Sequence, residues 1–240
     1  GPVDPGGLWR WRPLTAAMAS PSVAIQPEAI AESAFSRYAY RGARRIGYGT
    51  LDDLHDRIVE AVDSPGGGFV YAYAPHFDTA AHRHGCRHPE PGRVISDFQK
   101  LFERLCESLA RREALLLATA DHGFVDIAPE RQLTLGDHPA LEALLARPLV
   151  GEPRVAFAEP LPGALAEFMG LAGEELGHAF DVRTVEELVA AGWFGAGEAE
   201  PDFLAHAGSV ALVGREGWSL VDSVPGEKPQ AFIGMHGGTT

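Results

Sequence analysis

Three short stretches of this chain place imidazoles and carboxylates where they can converge on a metal ion. In "YAYAPHFDTAAHRHG", residues 71–85, an aromatic-rich apolar run stops at Pro75 and His76, Asp78, His82 and His84 follow. Asp78 and His82 are spaced i, i+4, so a helical turn starting near Asp78 puts both on one face. A carboxylate oxygen and an imidazole nitrogen so placed suit zinc or a similar ion. The same pair is equally at home on a solvated surface. "LLLATADHG", residues 115–123, ends a long apolar run with adjacent Asp121 and His122, then Gly123, which permits a tight turn. Two ionisable groups at the end of a buried strand cost free energy unless partnered. Metal ligation supplies a partner; a helix-capping Asp121 with a packed His122 is the structural alternative. The third stretch, "IGMHGGTT" at 233–240, offers a lone His236 in a glycine-rich loop.

The elements that must position these residues alternate between strands and helices. "SVAIQP" (22–27) is a short β-branched run stopped by proline, hence a strand. "TLDDLHDRIVEAVDS" (50–64) opens on a capping box, Thr50 with Asp53, and spaces Leu51, Leu54, Ile58, Val59 and Val62 as an amphipathic helix. "FVYAYA" (69–74) reads as a second strand and residues 95–113 as a second helix. "ALLLATA" (114–120) reads as a strand buried on both faces. Further helices are expected over 137–146, 162–176 and 183–191, with a strand at 209–214. This succession predicts a doubly wound α/β fold, whose sites lie beyond the carboxyl ends of its strands. Residues 1–20 read as an irregular leader or truncated edge, and the rest as one α/β domain.

Composition limits the partners. With 45% hydrophobic residues in 240, the chain can bury a real core. A net charge of −13 argues against a nucleic acid duplex or an anionic membrane. Phosphate substrates stay open, because bound divalent ions reverse the local field. Cys86 and Cys106 form no pair motif and read as reduced thiols. No apolar run is long enough to span a bilayer, and no leader peptide opens the chain, so a cytoplasmic location is expected.

Taken together, D-x-x-A-H (78–82), T-A-D-H-G (119–123) and M-H-G (235–237), in that order, resemble the type I phosphodiesterase/nucleotide pyrophosphatase branch of the alkaline phosphatase superfamily. "GEPR" (151–154) also fits its bacterial members, and the resemblance runs from about Pro21 to the C-terminus. It implies an alkaline-phosphatase-like three-layer α/β sandwich with a mostly parallel central sheet, with residues 155–230 as a possible inserted, pocket-lining region. It further implies two divalent ions, usually zinc, with manganese an alternative. Asp78, His82 and His236 would hold one ion, and Asp121 and His122 would contribute to the other. The implied activity is hydrolysis of phosphodiester or phosphoanhydride bonds in a small phosphoester or nucleotide-like substrate, the oligomeric state being left open. His76, His84, His88 and Asp126 have no counterpart and are expected to be surface, supporting or structural groups. Trp193 and Phe194 are expected to pack rather than to line a pocket.

In one respect the chain departs from that family. An aspartate after the first strand and a Thr or Ser nucleophile at a helix start are expected well upstream of Asp78. Thr15, Ser20 and Ser22 match no such turn, and Thr50 is better explained as a helix cap. The expectation is therefore that the nucleophile is missing and the fold incomplete at its N-terminal side. The chain would then be part of a larger enzyme and inactive alone, with an exposed apolar edge. A noncatalytic metal- or phosphoester-binding relative, and a metallohydrolase using metal-bound water directly, are the alternatives.

Overall fold

The computed structural model describes residues 11–65, 68–198, 202–222 and 232–238. Residues 1–10 of the expected leader, and Thr239 and Thr240 of the last motif, lie outside the described residues. The chain divides into a first unit of residues 1–79 and 92–119 and a second of 80–91 and 120–240.

The first unit is organised by β1, Ser22–Pro27, whose first five residues are all buried. It is flanked by β2, Arg44–Tyr48, and β3, Phe69–Ala72, in a parallel sheet of order β2-β1-β3. Val23 stands opposite Arg44 on one side and Val70 on the other. A central parallel strand is covered on both faces, which is why "SVAIQ" reads as nearly continuous apolar sequence. The helix Leu51–Val62 turns Leu54, Ile58 and Ala61 inward. They meet Val23, Ile25 and Tyr48, with Leu101 and Leu105 from the helix Pro89–Leu109. Thr50 caps the first of these helices by accepting the Asp53 amide at 3.1 Å. The reciprocal bond of a full capping box is displaced: the Asp53 carboxylate accepts from Gly49 N at 3.0 Å. β2 was not anticipated, because "RRIGY" opens on two arginines and shows no clear alternation.

The run 114–120 corrects the sequence reading. It forms no strand, and Leu115 and Leu117 are 83% and 78% exposed. Apolar composition marks a segment that gains by burial, but a strand also needs a hydrogen-bonding neighbour, and none of the described strands pairs with it. Leu116, between the two, packs against the core of the first unit. A segment outside the described strands that turns two leucines outward invites association. The isolated chain is expected to self-associate in sedimentation velocity runs, and Leu115→Lys with Leu117→Lys to shift it towards monomer. A wild-type chain that stays monomeric at high concentration would contradict this.

The second unit is built on a four-stranded antiparallel sheet of order β6-β7-β9-β8. Its strands are β6, Val150–Glu152; β7, Val155–Ala158; β8, Phe180–Thr184; and β9, Val210–Gly214. The helix Leu165–Leu176 lays Phe168, Ala172 and Leu176 on one face, against Ala156, Ala158, Val210 and Leu212. The helix Val185–Ala190 lays Val185 and Leu188 on the other, against Ala211 and Val213. β9 is buried along its whole length as the strand between those layers. Two small ladders complete the unit: β4, Val125–Asp126, with β11, Gly234–Met235, and β5, Gln132–Thr134, with β10, Ser219–Val221. The helix expected over 137–146 shrinks to Pro139–Glu142. The protein is thus mixed α/β, with a parallel sheet in the first unit. No helix among the described residues is long and apolar enough to cross a membrane.

Candidate metal centre

Antiparallel pairing of β4 with β11 sets Met235 opposite Val125 and Gly234 opposite Asp126. His236 leaves the end of β11, and His122 lies three residues before β4, so the ladder carries the two toward each other. Their rings stack, with centroids 3.8 Å apart and planes 24° from parallel. A ring nitrogen of each lies within 4.8 Å of the other's.

His82 reaches the same place from the helix His76–His84. Its ring centroid is 5.0 Å from that of His236. The approach depends on Gly234, where a Cβ would stand 2.5 Å from the Ala81 carbonyl oxygen. Ile233 N donates to the His82 carbonyl at 2.9 Å, which ties helix to strand. His82 Nδ1 lies 2.9 Å from the Gly234 carbonyl oxygen. A carbonyl only accepts, so Nδ1 carries the proton and Nε2 the lone pair. Metal-binding histidines are oriented by this kind of bond. Phe124 packs on His82, His122 and His236, and Phe232 on His82. His82, His236, Glu152, Pro153, Phe232 and Met235 line a cavity of about 220 Å³.

The half-buried imidazoles of His122 and His236 are close enough to share a divalent ion, and His82, its ring against that of His236, is fixed with Nδ1 protonated. Asp78 lies in the first turn of the helix that carries His82, one turn ahead of it. Asp121 is more open, with its side chain 72% exposed and Oδ1 3.6 Å from His122 Nε2. It accepts the His122 amide at 3.1 Å, a turn-like contact rather than a helix cap. Gly123 adopts an ordinary backbone angle, so its conformational freedom is unused there.

The remaining polar groups are placed elsewhere. His76 packs between the rings of Tyr48 and Phe98, and burial holds its pKa below the usual histidine value. His84 and His88 stack on each other at 4.9 Å. The Asp126 carboxylate accepts the amides of Cys86 and Arg87, closing the turn at Gly85 (φ 80°), which is a structural role. Phe194 packs on Phe203 and Phe157. Thr15 is buried and donates to the Arg41 carbonyl at 3.0 Å. Sequence reasoning missed Phe124, Phe232 and the fully buried Arg154. A buried arginine leaves no periodic trace, and the GEPR stretch, which ends on Arg154, gave it no role.

Burial, with the Asp126 carboxylate beside it, pushes the Cys86 thiol up to about 11. At pH 8 about one thiol in a thousand would then be thiolate, against about a quarter for an ordinary cysteine. Iodoacetamide is expected to modify exposed Cys106 at least tenfold faster than Cys86, read by peptide mass spectrometry. Equal rates would show that Cys86 is not held in this turn.

Comparison with known proteins bears on the fold and the family. The fold is similar to that of murine ectonucleotide pyrophosphatase/phosphodiesterase 5, with a TM-score of 0.67 and 19% identity over 94% of this chain and 58% of that one. An inactive variant of the murine protein, solved in complex with AMP, matches with a TM-score of 0.65 and 18% identity over 94% and 58%. Phosphonoacetate hydrolase from Sinorhizobium meliloti 1021, in complex with phosphonoformate, matches with a TM-score of 0.64 and 14% identity over 92% and 63%. This chain therefore spans less than two thirds of those proteins. No curated protein is similar enough to match. The family profile of type I phosphodiesterase/nucleotide pyrophosphatase covers residues 15–239, and the chain belongs to that family.

Proposed function

We propose that this chain holds divalent metal, zinc foremost, for the hydrolysis of phosphodiester or phosphoanhydride bonds in a small nucleotide-like substrate. Asp78, His82 and His236 are assigned to one ion, and Asp121 and His122 to a second. The observation that supports this best is the meeting of His82, His122 and His236 from three distant points of the chain. Bound ions of this kind activate an attacking oxygen and neutralise charge on phosphate oxygens. The chain's own contribution is positional. Gly234 holds His82 in its ligating tautomer, β4 and β11 set His122 against His236, and Phe124 packs on all three imidazoles while Phe232 packs on His82. The similar structures bound to AMP and to phosphonoformate support a small phosphorus-bearing ligand.

Thr15, Ser20, Ser22 and Thr50 do not match the family's nucleophile turn, so the attacking hydroxyl is left unassigned. That same observation favours a second reading, a metal- or phosphoester-binding relative without catalysis. Both readings require metal. Elemental analysis of the chain folded with zinc and then dialysed is expected to find at least one equivalent. Zinc at the level of a buffer control would defeat both.

A further inference from the structure

We propose that Arg154 is a positioning residue that fixes the metal ligand His236, an inference that rests on the metal-centre reading above. β6 and β7 form a tight hairpin in which Glu152 pairs with Val155, so Pro153 and Arg154 make the turn. The turn is anchored from both sides. The Arg154 carbonyl accepts from Gly214 N, and the Pro153 carbonyl from Leu220 N, each at 2.7 Å. The arginine side chain is 2% exposed, the largest among the fully buried ones described. Burial lowers the pKa of its guanidinium, and the nearby Glu216 carboxylate works against that shift.

From this rigid base Nη1 donates to the Gly237 carbonyl oxygen at 2.9 Å. That carbonyl belongs to the residue directly after His236. The β11 ladder ends at Met235, so His236 stands just beyond the strand's own hydrogen bonds. Gly237 and Gly238 follow at φ 76° and 75°, and neither has a side chain to anchor the loop. The loop lies close on the arginine: a Cβ on Gly238 would be 3.4 Å from both Cβ and Cζ of Arg154. A leucine or methionine would fill this space without a buried charge. What only a polar side chain of this reach supplies is a donor to the glycine carbonyl, which holds the loop and with it the His236 ring. Groups that orient metal ligands set affinity although they never touch the ion.

The test compares wild type, R154K and R154M, each checked for folding by far-UV circular dichroism. Zinc affinity is read by competition with a chromogenic chelator, and site geometry by the visible absorption of the cobalt(II)-loaded protein. R154M is expected to bind zinc about 10–100-fold more weakly with an altered cobalt band. R154K, which keeps a charged donor without the planar fork, should fall between the two. A merely structural arginine would lower thermal stability but leave the affinity and cobalt band of the folded variant unchanged, and that result would overturn the proposal. Should R154M fail to fold, R154K decides: wild-type affinity together with a wild-type cobalt band refutes the positioning role. Absence of zinc binding by wild type would instead refute the metal centre itself.

Discussion

Replacing His236 by alanine is expected to weaken zinc binding by the folded chain about 100-fold, and His82→Ala to do nearly the same. Structural zinc sites bind with about 10–16 kcal/mol at neutral pH, so one of four ligands accounts for about 3 kcal/mol, or about two orders of magnitude. His82 and His236 should be the costliest losses because each is held before the ion arrives. His82 is held by the Gly234 carbonyl, and His236, on the inference above, by the bond from Arg154 to the Gly237 carbonyl. Asp78→Ala should follow closely, as the carboxylate one turn before His82. The Asp121 and His122 site should be weaker, because Asp121 is largely exposed and two of the ligands that the family resemblance implies find no match here. Chelator competition on the three variants checks their order. Equal metal content in wild type, His82→Ala and His236→Ala would remove the assignment.

The zinc-loaded 240-residue chain is expected to hydrolyse bis(p-nitrophenyl) phosphate no faster than zinc in buffer. A covalent nucleophile divides one hard step into two easier ones, and its loss costs on the order of 10⁶ in rate. Two of the hydroxyls that could be mistaken for it are occupied structurally: Thr15 bonds to the Arg41 carbonyl, and Thr50 caps a helix. Supplying a family N-terminal segment, with its strand-end aspartate and helix-start Thr or Ser, should restore turnover. Changing that Thr or Ser to Ala, or His122 to Ala, should abolish it again. Robust, His122-dependent hydrolysis by the chain alone would favour direct attack by metal-bound water.

Where the sequence reading succeeded, the governing physics was local. β1 was legible as a short β-branched run stopped by proline, and the helix Leu51–Val62 because one face recurs every 3.6 residues behind a threonine cap. Asp78 and His82 were legible as neighbours because helical spacing alone makes them so. β2 and β7 were missed because each takes its place from a partner distant in the chain, β1 for the first and β9 for the second.

The amino-acid sequence by itself determined the family, through three ordered motifs, and the ligand types available to an ion. It also determined the helices whose apolar period is strong. Only the tertiary structure decided that His82, His122 and His236 meet, because that depends on β4 pairing with β11 and on Gly234 admitting the Ala81 carbonyl. It alone decided that "ALLLATA" joins none of the described strands, since a strand exists only where another edge offers hydrogen bonds. It alone placed a guanidinium beneath the His236 loop, because burial and contact are properties of packed neighbours rather than of residue type.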